Sequence, residues 1–479
     1  MPSPSLTGVP ATPAVHPSRL AGARRLRLRV PAKLRNLELL LLLFALVIMG
    51  GAILLVQLGA LGAADVSFFP LVGGLALLAM VMHFVLRAVA SEADPFILPI
   101  ATLLNGLGIA MIYRIDIAQH RIGWASSGLR QMIWTAIAMI VALVVLIVIR
   151  NHRVLQRYRY IAMFVGIGLL LLPLVPGLGL QINGARAWIG IGERRSDGTV
   201  PLSFQPGELA KIALAVFFAG YLVTARDSLS LVGRKVLGMR FPRVRDLGPI
   251  LVIWIAAMGV LVFQRDLGIS LLYFGLFLVM IYVATGRLSW VALGMTLFVG
   301  GAVAASQLLG YVGNRFGAWL DAFNNDIYNR VGGSYQLVQG IFGISGGGLT
   351  GSGLGQGSPN IVPFAASDFI VASLGEELGL TGIFAILALF LLFVSRGFRI
   401  AFSGQDDFGR LLGVGLAFII ALQVFIVIGG ITRVIPLTGL TTPFMAAGGS
   451  SLVANWIIVA LLLRLSDTVR VQPRIVIES

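Results

Sequence analysis

Apolar runs about twenty residues long recur along the whole chain and constrain its fold more than any other feature. Candidate spans fall at 38–61, 69–90, 95–113, 130–149, 159–176, 207–224, 248–263, 267–284, 289–309, 367–394, 410–431 and 448–465. Each is long enough, or nearly so, to cross about 30 Å of hydrocarbon as a helix. Because lipid offers no partner to a free backbone amide, a chain of this kind folds as a helix bundle. The expected fold is an all-α polytopic membrane protein of about twelve transmembrane helices. Charged residues make up 12% of the sequence, roughly half the share of a soluble domain, so a soluble fold is excluded.

The net charge of +16 does not indicate nucleic acid, because the basic residues are confined between apolar runs. Arg24, Arg25, Arg27, Arg29, Lys33 and Arg35 precede the first span, and Arg150, Arg153, Arg157 and Arg159 lie at the end of the fourth. Arg226, Arg234, Lys235, Arg240, Arg243 and Arg245 follow the sixth; Arg396, Arg399 and Arg410 close the tenth. All fall on one side if the N-terminus is cytoplasmic, as the positive-inside rule requires, where they meet anionic lipid. Both termini are therefore expected inside, and the long segments 177–206 and 310–366 outside. Residues 1–36, rich in proline and arginine, read as a disordered basic tail; 466–479 read as a second cytoplasmic tail. The absence of cysteine excludes disulfides and thiolate chemistry, and the scattered His16, His83, His120 and His152 show no metal-ligand spacing.

Polar groups within so apolar a chain mark places where something other than lipid is met. Asp368, Glu376 and Glu377 stand at the head of the 367–394 run. Glu208 and Lys211, three residues apart on one helix face, open the sixth span behind Pro206. Asp266 lies between two spans, and Arg433 precedes the segment Pro436-Leu-Thr-Gly-Leu-Thr-Thr-Pro443. The topology brings Glu208, Lys211, Asp266, Asp368 and Arg433 to the extracytoplasmic half. With Trp188, which suits either sugar stacking or interfacial anchoring, they are the candidate substrate-contacting set. Glu208, Lys211 and Asp266 also suit mutual neutralisation. No cation lies one turn from Asp368 on its own helix, which favours a functional over a structural role for it, and it is expected to be ionised at neutral pH. Glu376 and Glu377 fall on other faces and deeper, and are expected to brace the bundle.

The 310–366 loop is too long to lack structure. Phe316, Trp319, Leu320 and Phe323 recur with helical spacing, predicting a short interfacial helix. The run Gly346-Gly-Gly-Leu-Thr-Gly-Ser-Gly-Leu-Gly-Gln-Gly357 lacks the context of a phosphate loop and is expected to act as a lid or hinge.

Five motifs carry a resemblance: Asn183-Gly-Ala-Arg-Ala-Trp188, Phe204-Gln-Pro-Gly-Glu-Leu-Ala-Lys211, Asp266-Leu-Gly268, Ser367-Asp-Phe-Ile370 with Gly375-Glu-Glu-Leu-Gly379, and Pro436–Pro443 with Gly448-Gly-Ser-Ser451. In this order the chain resembles the SEDS family of cell-wall proteins (the Rod/FtsW/SpoVE group), most closely its elongation-type actinobacterial branch. The resemblance implies a ten-helix glycosyltransferase core over 95–465, preceded by two additional helices within 37–94. It implies an inverting peptidoglycan glycosyltransferase that polymerises lipid II on the outer face of the cytoplasmic membrane. Its partner would be a class B penicillin-binding protein, its essential aspartate Asp368, and its motif residues Glu208, Lys211 and Asp266. A divalent cation (Mg2+ or Mn2+) or basic side chains would stabilise the departing diphosphate, and no nucleotide is needed. Two positions depart from the family pattern. Ala446-Ala447 replace a usual Ser-Tyr, and Arg265 stands where proline usually precedes the Asp-Leu-Gly motif. A lipid II flippase is the rival from another class, and a division-type member the rival within the family. A scaffold for the penicillin-binding protein would leave Asp368 unexplained.

Overall fold

The computed structural model describes residues 33–121, 123–182, 184–191, 202–230, 235–236, 239–240, 255, 258–259 and 262–471. Among these, ten helices are long and apolar enough to cross a membrane, from Leu34–Leu61 to Gly449–Arg470. The run expected at 159–176 forms a shorter helix, Arg159–Leu171, which tightens into a 3-10 turn at Leu172–Leu174 where Pro173 removes a backbone donor. The span expected at 248–263 lies largely outside the described residues, as do most of the two tails.

Burial sorts the helices into centre and periphery. Ile97–Ala118, Pro206–Arg226, Asp407–Ile431 and Gly449–Arg470 are mostly enclosed by protein, whereas Leu288–Leu308 is only 11% buried. The reason lies in composition. Ile97–Ala118 carries Thr102, Asn105, Arg114 and Asp116, all buried, which lipid could not satisfy. Leu288–Leu308 between its ends is apolar or small, and lipid covers such a surface at no penalty.

The two N-terminal helices pack on this core, Lys33–Leu61 against Ile97–Ala118 and Phe69–Val89 against Ser127–Val148. Their attachment is polar as well as apolar. Glu38 accepts Arg35 Nη1 at 2.5 Å and faces His83 Nδ1 at 2.7 Å, all three fully enclosed, and Arg35 also donates to the Ala93 carbonyl. Asp94 at that end takes Arg470 at 2.8 Å and Arg396 at 3.7 Å. Ionic groups thus close one end of the bundle by pairing with each other.

At the opposite end the connecting segments are ordered. Gly179–Ile182, Ala185–Ile191 and Leu202–Phe204 form an antiparallel sheet with Leu180 opposite Trp188 and Ile189 opposite Phe204. This sheet is a small exception to the all-α expectation. The 310–366 segment folds into helices Gly310–Leu320, Asn325–Asn329 and Tyr335–Gly347. The first is the helix predicted from Phe316, Trp319 and Leu320, although Phe323 falls beyond its end.

The tenth predicted span, 367–394, is not one straight helix. Within Ile370–Ser403, Gly379 has φ 70° and ψ −174°, which breaks the ladder and bends the chain sharply. A Cβ on Gly375 would lie 2.7 Å from Ile383 Cδ1; eight residues of straight helix would separate the two by about 12 Å. The glycine-rich run fills this bend. Gly353 N donates to Glu377 O at 2.9 Å, Ser352 N to Glu376 O at 3.0 Å, and Leu380 N to Gly348 O at 2.9 Å. The lid or hinge expected there is instead a laced turn that satisfies the amides and carbonyls freed by the break.

Candidate functional site

The polar centre begins at Pro206, whose ring suits the first helical turn and sets Glu208 and Lys211 one turn apart inside the bundle. Lys211 Nζ donates to Glu208 Oε2 at 2.6 Å, Gln423 Oε1 at 2.9 Å and Asn455 Oδ1 at 3.4 Å. Lys211 is 1% exposed and Glu208 3%, so these partners stand where water would. Gln423 passes the network on, its Nε2 donating to Thr441 O at 2.8 Å. The ammonium thereby holds three helices and the Pro436–Pro443 segment in register.

Asp266 is reached from the same helix start. Gln205 Nε2 donates to Asp266 Oδ2 at 3.1 Å, while Asp266 Oδ1 caps the helix Leu267–Thr285 by accepting Ile269 N at 3.0 Å. Gly268 beside it must lack a side chain, because a Cβ there would lie 2.5 Å from Leu440 Cγ. Glu208 and Asp266 lie within reach of each other's charge. The expected trio is therefore a direct Glu208–Lys211 pair with Asp266 joined through Gln205.

Asp368 follows a tight turn in which Phe364 adopts φ 55° and its carbonyl accepts the amides of Ser367 and Phe369. Ala447 N donates to Ala366 O at 2.8 Å, fixing the turn against the neighbouring segment. Gln131 grips that segment in turn, donating to Ala446 O at 3.0 Å and accepting Gly448 N at 3.2 Å. These contacts are made by backbone atoms, so the two alanines that depart from the family pattern leave them intact. Asp368 Oδ2 faces Gly439, whose φ is 81°.

Arg315 completes the centre. From the helix Gly310–Leu320 its Nη1 donates to Thr438 O at 2.7 Å and Leu437 O at 3.1 Å. Its charge acts on both Asp266 and Asp368. Burial raises Asp368 to about 7, with Asp266 pushing further up, and the Arg315 charge and a hydrogen bond from Ser367 pulling down. Burial likewise raises Asp266 to about 6 against the Ile269 amide and the Arg315 charge. Asp368 is thus part-protonated at neutral pH rather than fully ionised as expected from sequence, because the chain folds protein around it. Two carboxyl groups and a guanidinium thus lie within reach of one another's charge. Their hard oxygens would suit Mg2+ or Mn2+, and no group of three His, Asp or Glu side chains gathers around any point among the described residues.

The other candidates lie elsewhere. Arg433 donates from Nη2 to Trp319 O at 2.9 Å and Leu320 O at 3.3 Å, and Trp319 Nε1 returns a bond to Arg433 O at 3.0 Å. It clasps the C-terminal carbonyls of the Arg315 helix instead of facing Asp368. Trp188 is half-buried in the central strand of the sheet. Glu377 accepts Arg114 Nε and Gly355 N, each at 2.9 Å, and Glu376 accepts Ser358 N at 2.6 Å; both glutamates hold the Gly379 bend. The sequence reading did not include Arg315, Gln423, Asn455 or Arg114. Gln423 and Asn455 carried a signal, being isolated amides within apolar helices.

The family model described as Cell cycle protein, covering FtsW, RodA and SpoVE, matches residues 95–471. The chain belongs to this family. The FtsW/RodA/SpoVE match extends to relatives over nearly the whole chain. Peptidoglycan glycosyltransferase RodA of Mycobacterium tuberculosis is 44% identical over 446 residues, covering 91% of each chain. Among solved structures, a chain of a peptidoglycan synthase complex, studied for the structural coordination of polymerization and crosslinking, aligns with TM-score 0.60 and 25% identity, covering 79% of this chain and 98% of that one. The rod shape determining protein RodA of Thermus thermophilus shares the fold, with TM-score 0.52 at 24% identity over 78% of this chain and 96% of that one.

Proposed function

We propose that this chain is a peptidoglycan glycosyltransferase of the bacterial cytoplasmic membrane that polymerises lipid II into glycan strands. The observation that carries the reading is the gathering of Asp368, Asp266 and Arg315 within reach of one another's charge, a polar centre set at one end of an apolar bundle. A carboxyl group poised near 7 matches what a general base needs at neutral pH. In the proposed reaction Asp368 accepts the proton of the acceptor sugar's C4 hydroxyl as that oxygen attacks the donor anomeric carbon. The bond from that carbon to the diphosphate breaks, its electron pair leaving with the polyprenyl diphosphate, and the anomeric configuration inverts. A divalent cation at Asp266 would supply electrostatic stabilisation to the leaving group, leaving Asp368 free as the base. The Lys211 network keeps Gln205 and the Pro436–Pro443 segment where these groups need them.

The polar centre faces outward in this reading and both termini lie in the cytoplasm, in keeping with the placement of the arginines. The partner is a class B penicillin-binding protein that crosslinks the glycan, a reading supported by the peptidoglycan synthase complex among the structural relatives. The test is to incubate the purified chain, with and without such a partner, with labelled lipid II. Glycan ladders abolished by Asp368→Asn are expected; ladders unchanged by that substitution would refute the assignment.

A further inference from the structure

The rim of the polar centre carries a second arginine with no part in the contacts above. Arg265 directly precedes Asp266 and has φ 61°, a left-handed conformation that a residue with a side chain adopts only at a penalty. This backbone turns the exposed side chain towards Tyr311, with Cζ 5.7 Å from the ring centroid. Tyr311 lies four residues before Arg315 on the helix Gly310–Leu320, hence on the same face. Both guanidinium charges act on the Tyr311 hydroxyl. Arg315 uses Nη1 on the Leu437 and Thr438 carbonyls, which leaves Nε and Nη2 without a hydrogen-bond partner among the described residues. Neither arginine forms a salt bridge among them, although two carboxylates are close by. One cation over the Tyr311 ring and a second within reach of its hydroxyl, with donors unused, offer a site for an anion of more than one charge. Guanidinium groups fit phosphate oxygens bidentately.

We propose that Arg265, Tyr311 and Arg315 form the subsite for the diphosphate of the polyprenyl-linked sugar, a deepening of the glycosyltransferase reading on which it rests. Arg265 meets the diphosphate at the membrane-facing rim, and Arg315 meets it next to Asp368. When the anomeric carbon–oxygen bond breaks, the leaving diphosphate gains a negative charge, and that charge develops between the two guanidinium groups. The acceptor proton goes to Asp368, so the charges separate to opposite sides of the reacting carbon. Phosphate chemistry at this depth has a second source, the headgroups of ordinary anionic lipids, and the diphosphate is favoured because Arg265 adjoins Asp266 and the Arg315 charge reaches both Asp266 and Asp368.

The test measures binding of undecaprenyl diphosphate, undecaprenyl monophosphate and phosphatidylglycerol to the purified full chain. Arg265→Gln should weaken undecaprenyl diphosphate about tenfold, the loss of one charge-assisted contact, and change phosphatidylglycerol binding less than about twofold. Arg315→Lys keeps the charge but not the fork, and should weaken the diphosphate with little change in melting temperature. Equal weakening for phosphatidylglycerol, or unchanged diphosphate binding in both variants, would overturn the subsite. The two readings separate cleanly. If the wild type makes glycan and Arg265→Gln keeps the wild-type KM for lipid II, the subsite fails and the enzyme reading stands. If the wild type binds the diphosphate through Arg265 yet makes no glycan, the subsite stands and the enzyme reading fails.

Discussion

Replacing Lys211 by methionine isolates the energetic weight of the buried ion pair. Methionine has a similar length and no charge, so packing is largely kept while three hydrogen bonds, to Glu208, Gln423 and Asn455, disappear. The carboxylate of Glu208 is then stranded at 3% exposure, and removal of one partner from a buried pair costs about 3–5 kcal/mol. Each amide oxygen left without a donor adds about 1–3 kcal/mol; the bond from Gln423 Nε2 to Thr441 O survives but does not serve Oε1. Relaxation will hold the total towards the low end, about 5 kcal/mol. The double variant Glu208→Gln/Lys211→Met removes the stranded charge and should recover at least about 2 kcal/mol of that loss. Unfolding titrations in mixed micelles, run on the wild type, both single variants and the double variant, give the coupling energy. Additivity within about 0.5 kcal/mol would refute the claim that this pair organises the centre.

Three further outcomes follow from the geometry. Burial raises Asp368 to about 7 and Asp266 to about 6, above an unfolded value of about 4, so the stability these groups contribute is present below about pH 4 and is lost as pH rises through 6–7. Asp368→Asn should then melt no lower than the wild type at pH 8, while wild-type polymerisation should rise through about pH 7 as the base ionises; a rate flat across pH 5–8 would contradict this. Gly379→Ala forces a side chain into φ 70° with its Cβ 2.2 Å from Gly351 N, and should destabilise by at least about 1–3 kcal/mol, read as a lower melting temperature; an unchanged one would mean the bend is not fixed. In a chain with no native cysteine, Ser352→Cys should react with an impermeant maleimide in intact cells and Ser18→Cys only after permeabilisation.

The bundle was legible because lipid leaves the sequence so few options. Apolar runs with basic residues between them give helix starts within about five residues of those observed, while several ends run on further, the helix from Ile370 reaching Ser403 and the last reaching Val471. The Gly379 break was hidden inside what reads as a single span, since its cause is a glycine-rich segment some thirty residues earlier. Lys211 announced itself by its charge, whereas Gln423 and Asn455 stood out only as isolated amides in apolar helices, with nothing in the sequence to say that they complete its shell. Arg315 was obscured by lying in a loop where a charge needs no explanation. Only the folding of that loop over Asp266 and Asp368 gives it one. Arg433 shows the converse, a charge that sequence order placed near the polar centre and that the fold uses to hold the end of a helix.

The central claim is that Asp368 performs chemistry and does not line a transport path. The direct measurement compares wild type and Asp368→Asn in proteoliposomes, following glycan formation from labelled lipid II and transbilayer movement of the same lipid in parallel. Asparagine keeps the shape and removes the base, so polymerisation should fall by about 10²–10⁴-fold with lipid movement unchanged. Wild-type polymerisation alongside collapsed lipid movement would contradict the account.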